Sequence, residues 1–154
     1  MSKQQITIEE LSEKTGEIIG VSEWFVIDQN RINDFGSCTD DHQWLHLDPE
    51  KCATESPYKT TIAHGFLSLS LLSPIHLNAS YMPIGTKQVI NYGLDAIRFL
   101  SPVKSGARVR GHIKLLEVKP RGRTRYFIKT LNTIEIENEQ KPALTAELIT
   151  LITI

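Results

Sequence analysis

Between Thr39 and Cys52 the chain reads TDDHQWLHLDPEKC, with four carboxylates, two histidines and a tryptophan in fourteen positions. Asp41 and His46 stand five residues apart with a helix start behind them. A loop can therefore converge a carboxylate and an imidazole on one small site. Such a pair orients a water and passes protons at neutral pH, because histidine is the side chain that titrates nearest to it. By residue type and spacing alone three readings stand: a turn with solvated charges, which is the commonest, an acid/base centre, and a metal site drawn from Asp40, Asp41, His42, His46 and Asp48. The metal reading is the weakest, since neither an HExxH pair nor a Cys/His ligand spacing is present, and no metal or other cofactor is expected.

A second group lies at His64-Gly65. A glycine that opens a buried helix leaves an unobstructed N–H at the positive helix end, where an oxygen gaining negative charge would be stabilised. The plainer reading of Gly65 is a tight turn or close packing.

The elements that position these groups follow from pattern. Thr7 and Glu10 form a capping box for a short helix that Gly16 can close. VSEWFVI, Val21 to Ile27, reads as a strand. Asp28 caps a helix whose apolar face carries Ile32 and Phe35, and Asp48-Pro49 starts another. HGFLSLSLLSPIHL, His64 to Leu77, is apolar in nearly every helical direction, which predicts a central helix surrounded by protein, with a kink or an end at Ser73 ahead of Pro74. From Lys87 onward four β-patterned segments follow, with KPRGR at 119–123 and NEQKP at 138–142 as hairpin connections. The expected architecture is α+β, an antiparallel sheet wrapped around one buried helix. Residues 1–154 read as a single domain with residues 1–20 as an N-terminal helical extension.

Composition excludes several classes. The chain has 154 residues, 40% hydrophobic and 23% charged, which suits one compact domain. Seventeen Lys and Arg against eighteen Asp and Glu give a net charge of -1, so no basic field recruits nucleic acid or an anionic membrane. The polar start and the lack of a long apolar run predict a protein without a membrane span or export signal. Two cysteines, Cys38 and Cys52, without a CxxC pair, suit a reducing compartment, and the cytoplasm is the expected location.

Three motifs in order, TDDHQWLHLDP, IAHGFLSLSLL and NYGLDAIRFLSPVKSGARVRG, resemble the MaoC-like dehydratase family, the (R)-specific enoyl thioester hydratases with a hotdog fold. The similarity runs from about Ser22 to the C-terminus. It is closest to the nodulation protein N-like branch, in which the hydratase motif reads D-H-Q-W-[IL]-H. The resemblance implies a homodimer with active sites near the subunit interface, and reversible hydration of a trans-2-enoyl thioester of coenzyme A or acyl carrier protein. Carried over by position, Asp41 and His46 become the catalytic pair, Gly65 the oxyanion donor, and Ser73 a serine near that pair; His64 either helps bind substrate or bonds to the loop carrying Asp41. Where other members have Asn and Pro between the catalytic residues, this chain has Gln43 and Trp44, with His42 added. Gln43 can supply the amide of Asn, and Trp44 either walls the acyl pocket or joins the core. A hotdog thioesterase and a non-catalytic acyl-thioester binding module are the alternatives. KPRGRTR, Lys119 to Arg125, reads as a solvated hairpin before it reads as a phosphate contact, and Tyr92 and Arg98 as structural or interface residues.

Overall fold

A computed structural model describes residues 5–154. The N-terminal segment is β1 (Gln5–Ile6), α1 (Ile8–Glu13), β2 (Ile18–Val21) and β3 (Phe25–Ile27). The helical layer follows as α2 (Gln29–Thr39), α3 (Trp44–Leu47), α4 (Pro49–Glu55), α5 (Gly65–Ser70) and α6 (Leu72–Ala79). Then come β4 (Met82–Pro83), β5 (Gln88–Phe99), β6 (Ala107–Pro120), β7 (Arg125–Ile136) and β8 (Leu144–Thr153). Of residues 1–20, those described contain α1 but also β1 and most of β2, so the extension is not purely helical and is tied into the sheets.

The helix starts are local chemistry. Thr7 Oγ1 accepts from the Glu10 amide at 3.1 Å while Glu10 accepts from the Thr7 amide at 2.8 Å, closing the capping box of α1. Asp28 accepts from Arg31 N at 2.9 Å to start α2, and Asp48 from Lys51 N at 2.9 Å with Pro49 first in α4.

The central helix breaks elsewhere than its pattern predicts. It divides at Leu71, between α5 and α6, and Pro74 lies within α6. Proline lacks the N–H that would bond the carbonyl four residues back and its ring crowds that carbonyl, which belongs to Ser70, the last residue of α5. The second helix thus restarts with Pro74 in its first turn, where no intrahelical donor is needed. Leu67, Leu71, Leu72 and Ile75 are buried, each contributing about 1.5–3 kcal/mol. Phe66, 69% exposed, and the exposed Leu77 show that one face of the helix is open within the chain rather than surrounded.

The main sheet has the order β2-β6-β7-β8-β5 and is antiparallel throughout, with β3 also on β6; β1 and β4 form a parallel pair apart from it. Burial alternates along β6, β7 and β8, so Val109, Ile113, Leu115, Ile134, Leu144 and Ala146 form the face beneath the helix. The strand expected over Val21 to Ile27 is split at residues 22–24. There Ser22 replaces the ladder by donating its amide to Gly111 O at 2.9 Å and accepting from Gly111 N through Oγ at 2.9 Å. Gly20 permits the contact that seats the helix: a Cβ there would lie 2.9 Å from the Ala79 carbonyl carbon and nearer still to its oxygen.

The hairpins expected at 119–123 and 138–142 are present, with Gly122 and Asn138 at positive φ. Arg121 stacks over Phe127 at 5.1 Å, and Phe127 in turn meets Tyr92 at 4.7 Å. On the outer face Arg110 reaches both oxygens of Glu135 at 2.7 and 3.3 Å and His112 meets the same carboxylate at 2.6 Å, which holds the Glu135 carboxyl below its ordinary range. No described helix is long and apolar enough to cross a membrane.

Candidate active site

The turn after α2 delivers Asp41. Asp40 caps that helix in the left-handed region at φ 57°, and the reversal returns Asp41 close to α2, where a Cβ on Gly36 would sit 3.0 Å from the Asp41 carbonyl oxygen. The Asp41 side chain is 52% exposed; it receives a long contact, 3.4 Å, from the Gln43 amide, and His64 Nε2 stands 4.0 Å from its other oxygen.

His46 is buried on α3, and its Nδ1 lies 2.7 Å from the Ile62 carbonyl oxygen. A carbonyl only accepts, so Nδ1 carries the hydrogen and Nε2 keeps its lone pair for the site. The backbone of this turn is fixed from two sides. Gln29 donates to His46 O at 2.7 Å, Thr61 donates to Gln29 Oε1, and Ile62 N donates to Leu45 O at 3.1 Å. Gln29 and Thr61 were not singled out in the sequence, because a polar residue in a first helical turn and a threonine in a loop carry no local mark of a contact 32 residues apart.

His64, buried to 2%, joins the two. Its ring stacks on His46 with centroids 3.8 Å apart, and its Nε2 donates to the Asp41 carbonyl at 3.1 Å. Phe35 backs it at 5.1 Å. His64 Nδ1 is sealed and has no hydrogen-bond partner among the described residues. Asp41, His46 and His64 each place one ligating atom within 4.8 Å of the others. Two hydrogen bonds of about 2.8 Å meeting at one water cover nearly that span. The three lie close enough for a cation, but with Nε2 donating to Asp41 O and Nδ1 sealed, His64 has no lone pair to offer one.

A cavity of about 280 Å³ opens beside His46, lined also by Tyr58, Gly65, Ser68, Phe99 and Pro102. The Gly65 amide, first in α5, has no partner among the described residues. An added Cβ at Gly65 would stand 3.1 Å from Phe99 Cε1, so a larger residue would push into the cavity wall. The fold thus brings Asp41, His46, His64 and Gly65 together.

Comparison with known proteins gives the family and the fold. Residues 10–137 match the profile of the MaoC like domain. The chain belongs to the MaoC-like dehydratase family. It is 47% identical over 150 residues to Nodulation protein N of Rhizobium leguminosarum bv. viciae, covering 96% of this chain and 92% of that one. It is 41% identical over 143 residues to 3-hydroxyacyl-thioester dehydratase Z of Mycobacterium tuberculosis, covering 93% of each. Among solved structures, R-hydratase PhaJ1 from Pseudomonas aeruginosa superposes with a TM-score of 0.75 at 24% identity, over 98% of this chain and 88% of that one. The MaoC-like dehydratase from Rhodospirillum rubrum gives 0.77 at 17% identity, over 96% and 97%. The fold is the hotdog expected from the sequence.

Of the residues expected at the site, His46 and Gly65 line this cavity, Asp41 and His64 stand against His46 outside its lining, and Gln43, Trp44 and Ser73 lie apart from the group. Gln43 is exposed at the start of α3 and makes no side-chain capping bond. Trp44 is half-buried with the Lys51 ammonium 4.8 Å above its ring, and the cavity wall at His46 is built from Tyr58 and Phe99 instead. Ser73 accepts from Asn91 Nδ2 at 2.8 Å on α6, eight residues and so about 12 Å of helical rise beyond Gly65.

Proposed function

We propose that the protein is a hydratase/dehydratase of acyl thioesters, interconverting a trans-2-enoyl thioester of coenzyme A or acyl carrier protein and the (R)-3-hydroxyacyl thioester. The observation that carries this reading is that Asp41, His46 and His64 each bring one polar atom within 4.8 Å of the others, while His46 also lines the cavity that holds the Gly65 amide. The water gives one hydrogen bond to Asp41 and one to His46. Its oxygen bonds to C3 as one proton passes to this pair, the electrons of the double bond move toward the thioester oxygen at the Gly65 N–H, and one proton from the pair reaches C2. The pair ends as it began, and no cofactor is required. A thioesterase would need the same water aimed at the thioester carbonyl. Purified protein should lower the conjugated enoyl absorbance of crotonyl-CoA to an equilibrium value; unchanged absorbance with crotonyl-CoA and longer enoyl-CoAs would overturn the proposal.

His64 acts here as a positioning residue, since its ring and its Nε2 hold His46 and Asp41 in one register. His64→Phe keeps the stacked ring and removes the hydrogen bond to Asp41 O. We expect kcat on crotonyl-CoA to fall about tenfold with KM and thermal midpoint nearly unchanged, because small displacements of catalytic groups cost rate before they cost binding. An unaltered kcat would show that His64 is only core.

The working unit in this proposal is a homodimer. β5 is the sheet edge and is exposed on both faces over most of its length, with Ile90, Tyr92, Leu94 and Phe99 open to solvent, and Phe66 of the central helix adds to the apolar surface. A long apolar edge strand pairs with another chain unless protected, and a second copy offers the same edge with two-fold symmetry. Sedimentation equilibrium should give about twice 17.4 kDa; a monomer mass at micromolar concentration would contradict this.

A further inference from the structure

Cavities follow the central helix away from the catalytic pair. A second one, of about 330 Å³, lies between Phe66, Leu69 and Ser73 on the helix and Asn91 and Leu94 of β5. Phe66 in its lining packs edge to face at 6.0 Å against Phe99 in the lining of the first, so this ring pair stands between the two. A third, of about 150 Å³, shares Ser73, Asn91 and Leu148 with the second and passes His76 of α6 to reach Ser80 and Met82.

This last cavity is mostly apolar, walled by Leu11, Ile19, Ile128, Leu148 and Ile152, yet His76 lies in its lining. The state of that histidine follows from its neighbours. Asn132 Nδ2 donates to Thr130 O at 3.1 Å and Thr130 Oγ1 at 3.0 Å, so the atom that faces His76 is Asn132 Oδ1, 2.6 Å from His76 Nε2. Oδ1 only accepts, so Nε2 carries the hydrogen and Nδ1 carries a lone pair. Burial pushes the His76 pKa down, which keeps the ring neutral at pH 7. Nδ1 has no hydrogen-bond partner among the described residues and is not sealed from open space. An alkyl chain packed there would strip water from this acceptor and leave it unpaired, whereas an O–H would satisfy it.

Resting on the acyl-thioester reading above, we propose that this cavity is a subsite for the far part of the acyl chain, and that His76 Nδ1 accepts a hydrogen bond from a hydroxyl carried there. Gly65 and His76 are eleven residues apart, about 16 Å of helical rise. A four-carbon acyl group held at Gly65 ends well short of His76. The subsite therefore selects among longer chains, favouring those with a hydroxyl remote from the thioester over plain alkyl chains.

The test is calorimetric titration with dodecanoyl-CoA and its counterparts hydroxylated at successive carbons from C8 to C12, beside a crotonyl-CoA hydration assay of the same preparation. One or two of the hydroxylated chains should bind about five- to tenfold more tightly than dodecanoyl-CoA. His76→Leu should erase or invert that preference, and His76→Gln, which keeps a donor for Asn132 and an acceptor for the ligand, should restore part of it. If His76→Leu does not fold, the parent preference and the His76→Gln result decide. Equal affinities across the series in a protein that hydrates crotonyl-CoA would overturn the subsite alone, as would a preference that survives in folded His76→Leu. A protein that neither hydrates crotonyl-CoA nor binds any of these thioesters would overturn the acyl-thioester reading, and the subsite with it.

Discussion

Asp41→Asn is expected to hydrate crotonyl-CoA roughly a thousandfold more slowly than the parent while folding as well as the parent does. The two halves of this expectation have separate causes. Asparagine has the size and shape of aspartate but cannot take a proton from the attacking water, so the nucleophile is no longer activated. Stability is insensitive because the carboxylate is half exposed and its one described backbone contact, from Gln43 N, is long and equally available to an amide oxygen. The anchoring contact of this loop runs instead from His64 to the Asp41 backbone carbonyl, which the substitution leaves intact. Steady-state kinetics with a thermal melt would check both halves. Activity near the parent level in a folded variant would remove Asp41 from the chemistry.

His46→Gln should lose a further large share of activity on its own, about a hundredfold to a thousandfold, because glutamine can donate to Ile62 O but cannot exchange a proton with the water or C2. The double variant Asp41→Asn/His46→Gln discriminates more finely. Two groups that hold and activate one water act as a unit, and removing the second after the first should cost little more. The double variant is expected within about tenfold of the slower single variant, and multiplicative losses would show that the two residues serve separate steps.

Much of the architecture was legible because its signals are local. Thr7 with Glu10, Asp28, and Asp48 with Pro49 each bond to amides within three residues, and the alternation of β6, β7 and β8 reports a face buried within the same chain. The misreadings have two physical sources, a contact far along the chain and a proline whose effect falls one turn earlier. Ser22 interrupts a strand because its hydroxyl serves Gly111, 89 residues away. The central helix breaks at Leu71 because Pro74 acts on the carbonyl of Ser70, one turn earlier. At the proposed site, Asp41 and His46 were singled out by spacing and by the family resemblance, and Gly65 by its place at a helix start together with that resemblance. The stacking of His64 on His46 and the Gln29–Thr61 brace arise only when α2, α3 and the segment before α5 converge. Trp44 was the most conspicuous residue of the motif, yet Tyr58 and Phe99 form the wall beside His46.

The central claim is that the water held between Asp41 and His46 is added to carbon 3 of an enoyl thioester. The most direct measurement is mass spectrometry of the products formed from crotonyl-CoA in water enriched in oxygen-18. The account predicts a 3-hydroxybutyryl thioester carrying the label on its C3 hydroxyl, with the coenzyme A thioester intact. Label in a free carboxylate with release of coenzyme A thiol would instead make the protein a thioesterase, and complete absence of label from any product would leave a binding module that has kept the catalytic pair.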